Sequence, residues 1–147
     1  MKGHGPRNAP VTVEAATRLL DEGGVYLDVR TVEEFAAGHP PGAYNVPFMI
    51  RSAGAMLLND DFVSVVQSCF ALDDKLIVGC QAGGRSRRAA VCLWEAGFVW
   101  VVDMRAGFGG IRDSFGRMTE RGWAASGLPT VYAGEDRGYE DLLARRR

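Results

Sequence analysis

The chain has 147 residues, 47% of them hydrophobic, which suits one domain with a buried core and leaves too little length for two of ordinary size. Lys and Arg total 17 against 18 Asp and Glu, and the net charge of -1 offers no whole-molecule attraction to nucleic acid or to an anionic membrane. No apolar run approaches the roughly 20 residues of a membrane span, and residues 1–6 lack the apolar segment of a secretory signal, so a cytoplasmic protein with no membrane partner is expected.

Residues 1–10 carry glycine and proline with little apolar pattern and are expected to form a loose lead-in. Thr12 then caps a helix whose Val13, Ala16, Leu19 and Leu20 recur near a 3.6 period, and Gly23-Gly24 ends it. Residues 25–29 read as a strand, followed by the capping-box pattern of Thr31 and Glu34 and a short helix stopped at Gly38. Asp28, Arg30, Glu33 and Glu34 leave a strand end and enter a cap, so they read as a hydrogen-bonded scaffold rather than an acid–base pair. His39 reads as structural for the same reason.

Residues 44–47 form a short strand. Residues 48–58 are apolar, glycine-interrupted and rich in methionine. Core filling is the simpler reading of that stretch, and an adaptable surface wall is the other. Asn59, Asp60 and Asp61 supply a cap and two acids to a helix running to about Phe70, with Phe62, Val65, Val66 and Cys69 on its inner face.

The next stretch has the layout of a site. Leu76, Ile77 and Val78 make a short strand apolar on both faces, Cys80 sits at its carboxyl end, and Gly83 and Gly84 lead through Arg85 to a helix beginning near Ser86. Open parallel sheets bind ligands at strand carboxyl ends, and a helix beginning there turns free N–H groups and a positive dipole end into the same loop. Glycine permits the tight turn that brings the amides of Gln81, Ala82, Gly83, Gly84 and Ser86 together above the sulfur. Thiols at helix N-termini beside fixed cations favour the thiolate, which makes Cys80 a candidate nucleophile and Arg85 its electrostatic partner.

In the helix that follows, Ala89, Ala90, Leu93 and Trp94 are expected to pack inward until Gly97. Arg87 and Arg88 stand in its first turn, where the dipole disfavours cations, and read as a solvated face or as contacts for an anion. Residues 99–104 form the last clear strand. The polar stretch between Gly110 and Gly122 reads as an added surface loop, and the tail from Tyr139 as a short helix. Cys69 and Cys92 read as small core residues. Neither they nor His4 and His39 have metal-site spacing, so no metal is expected.

The cysteine, four residues, then arginine of Cys80 to Arg85 resembles the active loop of the rhodanese family, specifically its single-domain sulfurtransferases. The string Asp28-Val29-Arg30-Thr31, Glu33-Glu34-Phe35 and Gly38-His39, followed by Pro41-Gly42-Ala43 and Asn45-Val46-Pro47, is similar to the family's amino-terminal signature. Gly127-Leu128-Pro129 resembles its closing segment. The resemblance implies a three-layer α/β/α domain over residues 11–130 with a five-stranded, mainly parallel sheet, leaving residues 131–147 as an extension. It implies transfer of sulfane sulfur from thiosulfate or a related donor to cyanide or to a thiol such as that of a thioredoxin-like protein. A covalent Cys80 persulfide would be the intermediate, with no separate cofactor. In the family the connection corresponding to residues 48–58 approaches the active loop, so Arg51 is expected as a second contact for the anionic donor. Phe108 and Trp123 both qualify for the family's aromatic position after its paired glycines. Two rival readings are a cysteine-based phosphatase or arsenate reductase, whose loop is one residue longer, and a catalytically inert rhodanese-type binding module.

Overall fold

The computed structural model describes residues 7–145. Strand β1 (Arg7–Val11) leads into helix α1 (Val13–Asp21), whose N-cap Thr12 accepts the Ala15 N–H at 3.0 Å. Strand β2 (Val25–Asp28) passes to helix α2 (Val32–Ala36) through the expected capping box, with the Thr31 side chain taking the Glu34 N–H and Glu34 taking that of Thr31. A short strand β3 (Tyr44–Asn45) precedes a hairpin of β4 (Met49–Ser52) and β5 (Ala55–Leu58). Helix α3 (Phe62–Cys69), strand β6 (Leu76–Gly79), helix α4 (Gly84–Glu95) and strand β7 (Val101–Met104) follow. A small hairpin of β8 (Ile111–Arg112) and β9 (Met118–Glu120) and the closing helix α5 (Tyr139–Arg145) complete the order.

The main sheet runs β1-β7-β6-β2-β3 with every neighbouring pair parallel. Parallel strands need crossovers, and these place helices on both faces. The period of two along each strand then divides the core. Leu27, Leu76, Val78 and Val101 pack with Phe62, Val65, Ala89, Leu93 and Leu142 of α3, α4 and α5. Tyr26, Ile77, Val102 and Met104 pack with Val13, Ala16 and Phe35 of α1 and α2. The result is the three-layer α/β/α arrangement. Strand β6 lies at its centre, so Cys80 leaves the middle of the sheet's carboxyl edge. Among the described residues no helix is long and apolar enough to cross a membrane.

Several expectations are corrected. The lead-in expected over residues 1–10 is strand from Arg7 onward, with residues 1–6 outside the described part. Pro10 is compatible with pairing because β1 is an edge strand and needs donors on one side only. Residues 49–58 are a surface hairpin rather than core filling, with Leu57 and Leu58 more than half exposed. Asp61 makes no side-chain cap to α3. Instead Asn59 Oδ1 accepts the Asp61 N–H at 3.0 Å, and the Asn59 amide donates to the Pro47 carbonyl at 2.9 Å, joining the hairpin's two ends. Trp94, expected to pack inward, is 39% exposed, because the inner face of α4 is already filled by Ala89, Ala90 and Leu93.

The boundary expected at residue 130 also falls elsewhere. Helix α5 places Leu142 in the core with no exposed surface, and the Tyr139 hydroxyl accepts from the Asn59 amide at 3.1 Å. A truncation to alanine there leaves a cavity under α3. Leu142→Ala is expected to lower unfolding stability by about 2–4 kcal/mol in urea titration. A change near zero would show that α5 is a peripheral extension.

Candidate active site

The loop after β6 owes its shape to two glycine positions. Gly83 caps α4 with φ +100°, and a Cβ there would lie 2.4 Å from the Arg105 carbonyl oxygen. Only glycine satisfies both the dihedral and the close approach. The helix therefore starts at Gly84, earlier than the expected Ser86. Its first-turn amides, those of Gly84, Arg85 and Ser86, have no acceptors within the helix and face out along its axis. The Gly83 N–H donates to Cys80 Sγ at 3.0 Å. Cys80 itself is buried, 1% exposed.

A second segment clamps the loop from below. The Phe108 N–H donates to the Cys80 carbonyl at 2.7 Å, and the Gly109 N–H to the Gln81 carbonyl at 2.8 Å. Gly107 approaches so closely that a Cβ would lie 2.4 Å from the Cys80 oxygen. The two candidate aromatics after this turn have separate tasks. Trp123 is buried against the Tyr26 ring at 5.9 Å, and its indole N–H donates to the Pro129 carbonyl at 2.7 Å. Phe108 lies at the loop, with the Arg30 guanidinium 4.4 Å from its ring centre. Between them the expected plain surface loop is the hairpin of β8 and β9.

Charged groups join the amino-terminal signature to this loop. Arg30 is buried and forked onto Asp28, with Nη2 to Oδ2 at 2.8 Å. It also donates to the Gly38 carbonyl at 2.7 Å and to Gln81 Oε1 at 3.1 Å. The Gln81 side chain is thus a brace for the loop. Arg85 meets Glu34 through two bonds, Nη1 to Oε1 at 2.7 Å and Nη2 to Oε2 at 3.0 Å. Glu34, read from the sequence as a cap alone, is therefore also the anchor of Arg85. The pair uses two of the five N–H donors a guanidinium carries. His39 is buried, stacked on Phe35, with Nδ1 2.7 Å from the Phe35 carbonyl and Nε2 3.1 Å from that of Ala133, which is a structural setting.

Two neighbours of Cys80 lie on α4 and β7. Ser86 Oγ is 3.4 Å from Cys80 Sγ and 2.5 Å from Asp103 Oδ1. Asp103 escaped the sequence reading, although one signal was present: it is a lone acid in an otherwise apolar strand beside the strand that carries the cysteine. Ala82 and Gly84 are exposed at the loop's outer rim, where they and Gly83 line an open cavity of about 600 Å³ with Arg87, Asp103 and Arg105. Arg51 lies on the hairpin strand β4. It stands exposed on β4 opposite Met56 and lines a cavity of about 200 Å³ to which none of residues 80–86 contributes. Among the described residues no group of three or more His, Cys, Asp or Glu is placed to hold a metal ion.

Burial alone would raise the Glu34 carboxyl, but the Arg85 fork and the Thr31 bonds outweigh it and hold Glu34 at about 2 against an ordinary 4.5. A carboxylate so depressed contributes stability that is complete above about pH 4.5 and lost as pH falls through about 2. Glu34→Gln keeps a capping side chain and removes the charge. Its melting temperature is expected to lie roughly 3–5 °C below the parent at neutral pH, as for a partly buried pair worth about 1 kcal/mol after solvent screening. That gap should close toward pH 2. A gap that persists unchanged there would assign the effect to packing.

Residues 12–114 match the family model described as the rhodanese-like domain. The chain is 47% identical over 120 residues to thiosulfate sulfurtransferase 16, chloroplastic, of Arabidopsis thaliana, covering 82% of this chain and 90% of that protein. It is 42% identical over 103 residues to rhodanese-like domain-containing protein 15, chloroplastic, of the same plant, covering 70% of this chain but only 56% of that protein. Among solved structures, Rv0390 from M. tuberculosis superposes with a TM-score of 0.73 at 27% identity, covering 87% of this chain and all of that one. With the parallel five-stranded sheet, the cysteine at its central carboxyl edge and these relatives, the chain belongs to the rhodanese family, among relatives named as sulfurtransferases.

Proposed function

We propose that this protein moves sulfane sulfur from thiosulfate, or a chemically similar donor, to a thiol or cyanide through a persulfide on Cys80. The observation that carries this reading is the Cys80 sulfur, held at the central carboxyl edge of the sheet beneath the first turn of α4 and receiving the Gly83 N–H at 3.0 Å. An N–H donated to sulfur stabilises the negative form, which is the nucleophile.

In the first half-reaction the Cys80 thiolate attacks the outer sulfur of thiosulfate. The new S–S bond forms as the old one breaks, and sulfite leaves with its electron pair. In the second, an acceptor thiolate or cyanide attacks the outer sulfur of the persulfide, and Cys80 leaves as thiolate. The outward-facing amides of Gly84, Arg85 and Ser86 are the preorganised donors for charge on the transferred sulfur and the departing sulfite. Arg85, fixed by Glu34, adds a positive charge that does not wander. A four-residue spacing between Cys80 and Arg85 favours a single terminal sulfur over a tetrahedral phosphoryl group, which brings three more oxygens to be satisfied. A thioredoxin-like thiol protein fits the acceptor role. A reducing compartment such as the cytoplasm suits the free Cys69, Cys80 and Cys92.

After incubation with thiosulfate, intact-protein mass spectrometry is expected to show a gain of one sulfur atom that cyanide removes. Cys80→Ser should show neither the adduct nor turnover of thiosulfate with cyanide, while its melting curve stays close to the parent's. Retained turnover in that variant would overturn the assignment. Arg85→Lys replaces a planar fork by a point charge and loses the bidentate bond to Glu34. Its kcat/KM is expected to fall about tenfold or more, matching roughly 1.5–3 kcal/mol for a charge-assisted bond. Unchanged kinetics would mean that the amides bind the donor unaided.

A further inference from the structure

The sulfur has polar neighbours on α4 and β7. Ser86 and Asp103 are both buried, at 0% and 2% exposed, and they face Cys80 from the α4 side of the sheet. Three separations define a chain: Cys80 Sγ to Ser86 Oγ at 3.4 Å, Ser86 Oγ to Asp103 Oδ1 at 2.5 Å, and Ser86 Oγ to the Gly83 carbonyl at 3.2 Å. A hydroxyl has one proton to give. When Ser86 gives it to the Asp103 carboxylate, its lone pair receives the Cys80 S–H. When Asp103 carries a proton and donates it to Ser86, the hydroxyl is free to turn toward the sulfur. The two arrangements differ only in where protons sit along one line.

We propose that Ser86 and Asp103 form a relay that accepts the Cys80 proton: as the S–H bond breaks, that proton passes to Ser86 Oγ while the Ser86 hydroxyl proton passes to Asp103 Oδ1. The products are a Cys80 thiolate receiving an O–H from Ser86, beside a neutral Asp103 carboxyl. No charge is gained or lost overall, and no water is needed between the groups. Asp103 is a positioning residue that acts through Ser86, and the inference rests on Cys80 being the reactive sulfur.

The surroundings suit a carboxyl that can hold a proton. Burial raises Asp103 above its ordinary value, against the Ser86 hydrogen bond and the charge of Arg87, which lower it. Its neighbours across the sheet are uncharged, Val78 on β6 and Pro10 on β1. Arg87 and Arg88 of α4 and Arg105 beyond β7 share its cavity, and Tyr26 of β2 couples to both Asp103 and Cys80 from the opposite face. Arg85 couples to Cys80 from the first turn of α4. The open cavity gives Asp103 an exit to solvent for the stored proton.

Two coupled groups titrate in two macroscopic steps, and a relay makes part of the thiolate appear in the first. The ultraviolet thiolate band of Cys80, taken as the difference from Cys80→Ser across the pH range, is expected to rise in two steps in the parent protein. Asp103→Asn and Ser86→Ala should each leave a single step of the same final height. Ser86→Thr should restore the acid step by restoring the hydroxyl. Circular dichroism checks that each variant is folded, and Ser86→Ala carries the test alone if Asp103→Asn is not. A single step in the parent, or an acid step that survives both substitutions, would overturn the relay. A sulfur adduct absent from Cys80 would instead overturn the sulfurtransferase reading, since this titration does not depend on turnover.

Discussion

The site depends on a backbone clamp. Residues 106–109 run beneath the cysteine loop and donate the Phe108 and Gly109 N–H groups to the Cys80 and Gln81 carbonyls at 2.7 and 2.8 Å. Those carbonyls sit past the end of β6, where the sheet no longer supplies partners, and buried unpaired carbonyls would be costly. The clamp satisfies them and fixes the direction in which Cys80 leaves the strand. Such an approach leaves no room for a Cβ at its contact points, Gly107 and Gly109. Gly107 lies against the Cys80 oxygen and Gly109 against the Gln81 side chain, while from the other side Gly83 lies against the Arg105 carbonyl. Glycines on two segments far apart in sequence therefore answer one requirement, the contact between two loops at the carboxyl edge of β6 and β7.

Polar side chains then tie that contact to the rest of the molecule. Arg30 spans from Asp28 to Gly38 and Gln81, and Arg85 spans from the helix start to Glu34. The amino-terminal signature is an architecture of α2 and its flanking turns, and through these two arginines it is also the wall of the loop. Phe108 completes that wall by packing against the Arg30 guanidinium. On the same side, the Asn45 amide donates to the Asp28 and Arg30 carbonyls at 3.0 Å, holding the strand end from which Arg30 departs.

Much of this was legible in the sequence because it is local. The capping box of Thr31 and Glu34, the Thr12 cap, the glycine stops and the apolar run of residues 76–78 each follow from neighbours within a few positions. The loop's cysteine, glycines and arginine were legible as a group for the same reason. What escaped was what depends on partners distant in the chain. The Glu34 to Arg85 fork joins residues 51 apart, and the Ser86 to Asp103 bond joins a helix to a strand. Leu142 belongs to the core because α5 covers a gap beside Phe62, which no periodicity in residues 139–145 announces. Residues 48–58 read as a connection, and the β4 and β5 pairing that makes them a hairpin is not announced by their glycine-interrupted pattern. The lead-in was misjudged because Pro10 signals a break in general but is tolerated on an edge strand.

The two acids tied to the cysteine loop, Glu34 through Arg85 and Asp103 through Ser86, show how one fold assigns opposite duties to the same functional group. Glu34 sits in a fork with Arg85 and in the N-terminal turn of α2, surroundings that favour the anion, and it stays ionised over the whole working range of pH. It can lend Arg85 a fixed position but has no proton to trade. Asp103 is more deeply buried and is bonded to a hydroxyl rather than to a cation, so desolvation dominates and its charge is the more easily given up. The asymmetry follows from which partner each carboxylate meets, an arginine fork on one side and a serine on the other. The proposed sulfur transfer would use both: a cation held in place by Glu34, and a carboxyl one hydroxyl away from the sulfur.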